Sequence, residues 1–259
     1  MDLGLQGRRA IVCASSRGLG RACALALSRE GVSVVINGRN EDTLGETAEA
    51  IRAETAGKVT SVVTDIDVES DRKRLVAACP DADILVNNNG GPQPGRFQDW
   101  DHDTWLAALE ANLLAPVLLI RALLPGMRER RFGRIVNITS AMVKSPRSVM
   151  GLSTAARSGL TALCKGLSIE VARDNVTINN LLPERLNTDR QDYMAKLVAK
   201  TRDISYEEAR AEQVQSIAAR RLGKPEELAQ SCAFLCSVQA GFISGQNLQL
   251  DGGSSQGLI

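Results

Sequence analysis

The sequence predicts a single α/β domain in which one parallel sheet carries helices on both faces. Short runs rich in Val and Ile alternate with longer amphipathic runs, a pattern typical of strands joined by crossover helices. The 259 residues suffice for one large core, and 44% hydrophobic with 24% charged residues is typical of a globular protein. We therefore expect one domain over residues 1–259, without linkers or repeats.

Seven strands are expected, each from a short β-branched segment. In chain order these are RRAIVCA from Arg8, VSVVIN from Val32, KVTSVVTD from Lys58, DILVNN from Asp83, GRIVNIT from Gly133, NVTINNLL from Asn175 and NLQLDG from Asn247. Helices are expected at 18–30, 41–55, 69–79, 103–130, 153–173 and 226–237. Pro116 and Pro125 are expected to bend or divide the fourth of these helices.

The polar segment 185–220 interrupts this alternation. We predict two helical pieces there, forming a substrate lid beyond the carboxyl edge of the sheet.

Composition and charge exclude several classes of function. The net charge is +1, from 31 basic and 30 acidic side chains, and only 3% of residues are aromatic, so no nucleic-acid surface is expected. His102 is the one histidine, which argues against a His-based triad or a multi-His metal site. The six cysteines form no CxxC pair, and we interpret them as small buried hydrophobic residues. Without a signal peptide or a long uncharged run, we expect a cytoplasmic protein that does not enter membranes.

The segment CASSRGLG, Cys13 to Gly20, follows the first strand and opens the first helix. Gly18 and Gly20 would let the backbone approach a pyrophosphate, and the free N–H groups at the helix N-terminus would stabilise its charge. Such glycines also serve a tight turn without any ligand, so the position of the loop is what favours dinucleotide binding. The predicted fold is therefore a Rossmann-type doubly wound domain.

The end of the second strand indicates which dinucleotide would bind. A carboxylate there would accept hydrogen bonds from the ribose 2'-hydroxyl of NAD, but VVINGRN contains none. It offers Asn37 and Arg39 instead, with Arg17 in the glycine loop as a second cation. Guanidinium groups suit a 2'-phosphate, so NADPH/NADP+ is preferred over NAD. The alternative is that both arginines are solvated surface residues.

These residues together resemble the short-chain dehydrogenase/reductases over essentially the whole chain. SSRGLG is similar to that family's glycine loop, NNNG from Asn87 to its NNAG turn, and FISGQNLQLDGG to its last strand and tetramer-forming tail. The resemblance implies a homotetramer. It implies that Asn112 holds a proton-relay water, that Ser140 orients the substrate, and that Asp65 and Thr188 contact the adenine and the nicotinamide amide. The cofactor contacts that it implies come from Ala14, Ser16, Arg17, Gly18, Leu19, Gly20, Asn37, Arg39, Asp65, Ile66, Asn88, Asn89, Gly90, Arg157, Pro183 and Thr188.

The main departure from the family is in MGLSTAARSGL, where Ser153 and Arg157 stand at the places of the catalytic tyrosine and lysine. The i, i+4 spacing still puts both side chains on one helix face. Serine is a far weaker acid than a phenol, and its hydroxyl lies closer to the backbone, so proton transfer would need a water or a shifted substrate. Arg157 can hold ribose hydroxyls and stabilise negative charge but does not release a proton at ordinary pH.

Three further departures lie beside the expected cofactor. Ala14 replaces the first glycine of the loop, Asn89 replaces the alanine of the NNAG turn, and Glu184 replaces the glycine of a Pro-Gly turn. The Glu184 carboxylate would repel an anionic substrate or pair with a cationic one, unless it points to solvent.

Three other side chains are alternative proton donors. Tyr193 and Tyr206 belong to the expected lid, and Lys144 follows Ser140 by four residues and would need burial to lower its pKa. For each, a solvated loop or lid residue is the favoured interpretation.

Three functions remain open. The first is an NADP(H)-dependent reductase of a small carbonyl or imine with altered proton delivery. The second is a 3-oxoacyl-carrier-protein reductase, for which Arg131 and Arg173 match positions that face the acyl carrier protein. The third is a nucleotide-binding pseudoenzyme. The glycine loop is compatible with all three, so only turnover separates them.

Overall fold

A computed structural model describes residues 1–55 and 57–258 of the chain. The strands are β1 (Arg9–Val12), β2 (Ser33–Gly38), β3 (Val59–Val63), β4 (Ile84–Asn87), β5 (Gly133–Ile138), β6 (Val176–Pro183) and β7 (Asn247–Leu250). They form one parallel sheet in the order β3-β2-β1-β4-β5-β6-β7. The order reverses between β1 and β4, and such a switch point opens a ligand crevice at the carboxyl edge. The predicted seven-stranded, doubly wound sheet is confirmed.

Helices cover both faces of the sheet, as predicted. They are α1 (Gly18–Arg29), α2 (Glu41–Glu54), α3 (Glu69–Ala77), α4 (His102–Leu109), α5 (Ala115–Glu129), α6 (Gly151–Val171), α7 (Asp189–Arg202), α8 (Tyr206–Gln215) and α9 (Pro225–Cys236). On one face α1 and α9 pack with Leu27 and Leu228 in the core, and on the other α5 and α6 pack with Leu119 and Leu160. All six cysteines are unpaired and buried, which confirms their interpretation as core residues.

The stretch that contains α4 and α5 is nearly continuous but includes a π-helical turn at Glu110–Leu114. Pro116 has no N–H to offer the carbonyl of Asn112, and this favours a wider turn at that point. Pro125 lies inside α5, which continues through it. The expected division of the helix therefore lies before Pro116 and not at Pro125.

His102–Glu129 is long and apolar enough to span a membrane by length and composition, with a mean hydropathy of 1.7 in its most apolar window. Core helices of globular proteins meet the same criterion. Leu119, Leu123 and Met127 of α5 are buried in the core beside Ile135 of β5. The inner face of α5 is therefore a core face of the domain.

A ladder of four asparagine side chains crosses β4, β5, β6 and β7. Asn87, Asn137, Asn180 and Asn247 are partners in the strand register. Each Nδ2 donates to the Oδ1 of the next residue, at 2.8, 2.9 and 2.8 Å. A buried amide without a partner would cost about 1 to 3 kcal/mol, so the ladder stabilises these strands in one register.

The segment 185–220 contains the two predicted helical pieces, α7 and α8, which pack against each other. α7 is capped at its C-terminus by Asp203, which has a left-handed backbone (φ 53°). α8 begins with a capping box between Ser205 and Glu208, in which each side chain accepts from the other's backbone N–H. The segment therefore has well-defined helix ends, and it follows directly from the carboxyl end of β6.

Candidate active site

The loop between β1 and α1 contains two residues with left-handed backbone, Ala14 (φ 44°) and Gly18 (φ 53°). Glycine adopts this conformation freely, whereas an L-residue pays about 1 to 2 kcal/mol for it. The N–H of Ala14 donates to Oδ1 of Asn37 at 2.7 Å, which holds the loop in place. Ala14 is therefore a strained position at the start of the loop.

Position 20 requires glycine because neighbouring atoms leave no room for a Cβ. A Cβ at this position would lie 2.4 Å from the carbonyl oxygen of Ala14 and 2.9 Å from Nδ2 of Asn88. That Nδ2 donates to the same carbonyl at 3.1 Å. A Cβ on Gly18 would lie 3.8 Å from Cγ2 of Thr188. The glycine loop, the NNNG turn and the start of α7 thus meet at one place.

This place has features that fit a dinucleotide. α1 has no acidic residue in its first turn and no capping side chain at Arg17 among the described residues, so its N–H groups are available to a pyrophosphate. Asn87 lines the adjoining cleft. Its buried Oδ1 has no hydrogen-bond partner within the described part of the chain and is an available acceptor.

Asn37, a predicted cofactor residue, is 2% exposed, and its side chain is engaged within the protein. Besides accepting from Ala14, it donates from Nδ2 to Oγ1 of Thr64 at 3.1 Å. Its role in this structure is to join the glycine loop to the end of β3.

The two arginines predicted to read the 2'-phosphate are exposed. The side chains of Arg17 and Arg39 are 65% and 78% exposed, at 3.9 Å from Asp189 and 3.8 Å from Asp65 respectively. Exposed ion pairs of this kind contribute little, so both guanidinium groups remain available to a phosphate.

Asn89 connects two sides of the cleft through contacts that an alanine could not make. Its Nδ2 donates to Oδ1 of Asp67 at 2.8 Å and to the carbonyl of Ala111 at 3.0 Å. Burial raises the pKa of the Asp67 carboxyl group, and the hydrogen bond from Asn89 opposes that rise. Sequence reasoning missed Asp67, because its position one residue after Ile66 carries no motif of its own.

Ser153 and Arg157 lie one turn apart on α6 and are directly bonded. Nη1 of Arg157 donates to Oγ of Ser153 at 3.1 Å, and Nη2 donates to the carbonyl of Asn89 at 3.3 Å. Burial, together with the positive charge of Arg190, lowers the pKa of Arg157 to about 10. Ser153 is 1% exposed. Because its oxygen accepts from Arg157, its own hydrogen is left for another acceptor.

Asn112 lies in the π-helical turn, where it is buried and donates from Nδ2 to the carbonyl of Gly90 at 3.3 Å. Asn88, Asn89, Asn112 and Arg157 line one small cleft. Ser140 follows β5, and its Oγ accepts from the N–H of Met142 at 3.2 Å. The other predicted cofactor residues lie along the same carboxyl edge: Ser16 and Leu19 beside Gly18, Ile66 after β3, Gly90 after β4 and Pro183 at the end of β6.

Glu184 does not point to solvent. Its side chain is 13% exposed and lies 3.0 Å from Nη2 of Arg147 and 3.8 Å from Nε of Arg185. Two arginines share one carboxylate, so the expected repulsion of anionic ligands by Glu184 is cancelled. Arg147 belongs to the loop after β5, and the ion pair joins that loop to the end of β6.

The alternative proton donors differ in their surroundings. Lys144 is exposed and therefore lacks the burial that its role as an acid would require. The Tyr206 hydroxyl donates to Oδ1 of Asp192 at 2.6 Å, and this bond raises the pKa of Tyr206. Tyr193 is 43% exposed on α7, with the guanidinium carbon of Arg190 5.8 Å from its ring centroid.

Residues predicted for other functions lie away from the cleft. Arg131 precedes β5 and pairs with Asp174 at 3.2 Å, and Arg173 precedes β6, so both are at the amino edge of the sheet. His102 is exposed at the start of α4. Over residues 1–55 and 57–258 there is no group of three or more His, Cys, Asp or Glu side chains that could hold a metal ion.

Comparisons with known proteins agree with the fold. The family model described as Enoyl-(Acyl carrier protein) reductase matches residues 13–255. Dehydrogenase/reductase SDR family member 4 of Oryctolagus cuniculus is 32% identical, with 96% of this chain and 94% of that protein covered. The NADPH-dependent reductase BacG of Bacillus subtilis is 31% identical, with 97% and 99% covered. The structure of L-sorbose reductase from Gluconobacter frateurii with NADPH and L-sorbose has a TM-score of 0.94 and 29% identity, with both chains fully covered.

Proposed function

The chain belongs to the short-chain dehydrogenase/reductase family, and from that membership we propose that it is an NADPH-dependent reductase of a small carbonyl compound in which Ser153 delivers the proton. The observation that carries this proposal is the hydrogen bond from Arg157 to Ser153. It leaves a hydroxyl hydrogen for a substrate and places a cation beside the oxygen that loses it. Relatives named as NADPH-dependent reductases support the reaction class.

NADPH supplies the hydride when bound, and the described residues fit it. The N-terminus of α1 would hold the pyrophosphate, and Arg17 and Arg39 would hold the 2'-phosphate. Thr188, next to Gly18, would hold the nicotinamide end. Preference for NADPH over NADH is part of the proposal, because the end of β2 carries Arg39 where an NAD-specific site has a carboxylate.

The protein groups hold and protonate the carbonyl oxygen of the substrate. When the carbonyl is reduced, Ser153 would give its hydroxyl proton to that oxygen. The serine oxygen then carries negative charge, which the Arg157 guanidinium stabilises at 3.1 Å until water returns a proton. A charge-assisted hydrogen bond of this type contributes about 1.5 to 3 kcal/mol. Ser140, on the neighbouring strand end, would orient the same carbonyl oxygen.

The two other functions, a carrier-linked reductase and a pseudoenzyme, predict different results in a turnover assay. For a carrier-linked 3-oxoacyl reductase, Arg131 and Arg173 would have to act from the edge of the sheet opposite the cleft. For a pseudoenzyme, the burial of Arg157 beside Ser153 would serve cofactor binding alone. No structural feature described above favours either over the reductase.

A substrate panel assayed by NADPH consumption between pH 5 and 9 tests the proposal. The panel contains ketones, imines and 3-oxoacyl thioesters, and the proteins are the wild type, Ser153→Ala and the double variant Ser153→Tyr with Arg157→Lys. We expect the wild type to turn over a carbonyl substrate and Ser153→Ala to slow it by about 10² to 10⁴-fold, the usual contribution of a positioned acid. Lys144→Ala and Tyr193→Phe are the controls. If one of these abolishes activity and Ser153→Ala does not, another group is the acid.

We also propose a homo-oligomer, with a tetramer as the expected form. A groove of about 510 Å³ on the outer faces of α5 and α6 is lined largely by apolar side chains, among them Val117, Leu124 and Leu163. Leu163 and Ile169 of α6 and Leu114 just before α5 are exposed, and exposed apolar side chains on paired helices are typical of an interface between copies. Light scattering that finds only a 27.8 kDa species at micromolar concentration would contradict it.

A further inference from the structure

Two arginines from different elements bind the same short loop after β4. Arg157 of α6 donates to the carbonyl of Asn89 at 3.3 Å. Arg190 of α7 donates from Nη2 to the carbonyl of Pro92 at 2.8 Å and from Nη1 to Oε1 of Gln93 at 3.4 Å. A Cβ on Gly91, between these contacts, would lie 3.6 Å from the Arg157 guanidinium. Both cations therefore face residues 89–93 at the edge of the cleft.

Neither guanidinium forms an ion pair with a carboxylate anywhere in the described ranges 1–55 and 57–258. Both are partly buried and have only neutral acceptors. Two like charges that are removed from water without a counterion repel each other, and the Arg190 charge contributes to the lowered pKa of Arg157. The other arginine pair at this edge, Arg147 and Arg185, shares the Glu184 carboxylate. These four arginines thus share one carboxylate, Glu184, and have an excess of positive charge among them, while the Asp67 carboxylate is bonded to Asn89 on the other side of the cleft.

We propose that this site takes a substrate that carries a carboxylate, and that Arg190, in the field of Arg157, is the residue that selects it. The inference rests on the proposed reductase function and specifies its substrate class. A carboxylate can accept two parallel N–H bonds from one guanidinium. The neutral oxygens of Pro92 and Gln93, which Arg190 contacts in this structure, are weaker acceptors. Binding would also relieve the repulsion between the two arginines.

The cofactor does not account for this charge. Its pyrophosphate is provided for by the N-terminus of α1, and its 2'-phosphate by Arg39 together with Arg17, which lies 3.9 Å from Asp189 at the start of α7. Arg190 contacts the loop after β4, on the side of the switch point that carries Ser140 and Ser153. The same excess charge disfavours a substrate that arrives as a protonated imine, so of the two substrate types considered, a carbonyl compound with a carboxylate fits better.

Calorimetric titration of the enzyme–NADP+ complex tests the inference without turnover. The probes are a short 2-oxo acid and a short 4-oxo acid, each compared with its methyl ester. For the wild type we expect at least one acid to bind about tenfold or more tightly than its ester, the effect of one charge-assisted contact. Arg190→Gln should bring the ratio of acid affinity to ester affinity close to one. Arg190→Lys should leave an intermediate ratio, because lysine cannot bridge two oxygens.

Lys196→Gln is the matched control, since it removes one exposed positive charge from the same helix and should leave the ratio unchanged. Equal binding of acid and ester by the wild type, binding of neither acid, or an unchanged ratio in Arg190→Gln overturns the inference. If Arg190→Gln does not fold, as judged by its melting curve, an undiminished ratio in Arg190→Lys overturns it equally. An acid that binds selectively but is never reduced would count against the reductase function alone.

Discussion

The guanidinium of Arg157 donates a hydrogen bond to the hydroxyl of Ser153 at 3.1 Å, across one turn of α6. The same guanidinium reaches the carbonyl of Asn89 at 3.3 Å. The two residues are therefore one unit that connects α6 to the turn after β4. Burying a cation costs stability. A binding or catalytic role would explain why Arg157 is nonetheless buried here.

Arg157 should set the alkaline limit of activity. Its charged form polarises Ser153, and its pKa is lowered to about 10 by burial and by Arg190. We expect kcat/KM, which reports the free enzyme, to be constant below this pKa and to fall as pH rises through about 10. Lysine has an ordinary pKa of about 10.4, and the same burial would lower it, so Arg157→Lys should move the fall to lower pH. If kcat/KM of Arg157→Lys falls at the same pH as that of the wild type, this role is contradicted. Recovery of activity on return to pH 7 controls for unfolding.

Arg39 should confer the preference for NADPH. Arg39→Ala should weaken NADPH binding by about 1.5 to 3 kcal/mol, the usual worth of a charge-assisted contact, and should leave NADH binding unchanged. Arg17→Ala should act in the same direction. Fluorescence titration of both cofactors measures this, with Arg29→Ala, on the far end of α1, as the control. Equal affinity of the wild type for NADPH and NADH would refute the preference.

Ala14→Gly should stabilise the protein. The left-handed conformation of Ala14 (φ 44°) costs more for alanine than for glycine, and the greater freedom of glycine in the unfolded chain offsets part of the gain. We expect a net gain of roughly 0.5 to 1 kcal/mol in the free energy of unfolding, measured with urea. Gly20→Ala is the contrasting variant and should destabilise the loop, because its Cβ would lie 2.4 Å from the Ala14 carbonyl oxygen. A loss of stability in Ala14→Gly would show that the loop is not strained there.

The asparagine ladder should contribute to stability in proportion to burial. Asn137→Ala leaves Nδ2 of Asn87 and Oδ1 of Asn180 without partners in the core, which should cost about 2 to 4 kcal/mol. Asn247 lies at the partly exposed end, so Asn247→Ala should cost about 1 kcal/mol because water replaces the lost partner. Equal losses from both substitutions in urea unfolding would show that the ladder is not what stabilises these strands.

Much of the fold could be predicted from the sequence because hydrophobic periodicity is a local property. All seven strands were found, and α6 begins two residues before its predicted start because Gly151 and Leu152 already have helical backbone. The effect of Pro125 was harder to predict, since a helix that is packed on the sheet continues through a proline when neighbouring contacts compensate.

The site was only partly predictable, because its chemistry depends on contacts between distant segments. The i, i+4 spacing of Ser153 and Arg157 was sufficient to place them on one face. No local pattern shows that Glu184 is neutralised by Arg147, that Asn89 reaches Asp67, or that Arg190 binds the loop after β4. Each of these pairs joins segments 22 to 98 positions apart.

The most direct test of the account is a single-turnover experiment with NADPH that carries deuterium at the transferable position. The wild type, mixed in excess with this cofactor and an oxo acid or its ester, should place deuterium on the carbon of the reduced carbonyl. The rate should fall in Ser153→Ala. If the wild type binds NADPH but transfers no deuterium to any carbonyl, imine or thioester substrate, while the Ser153→Tyr, Arg157→Lys variant does, the protein is a pseudoenzyme and the central claim is wrong.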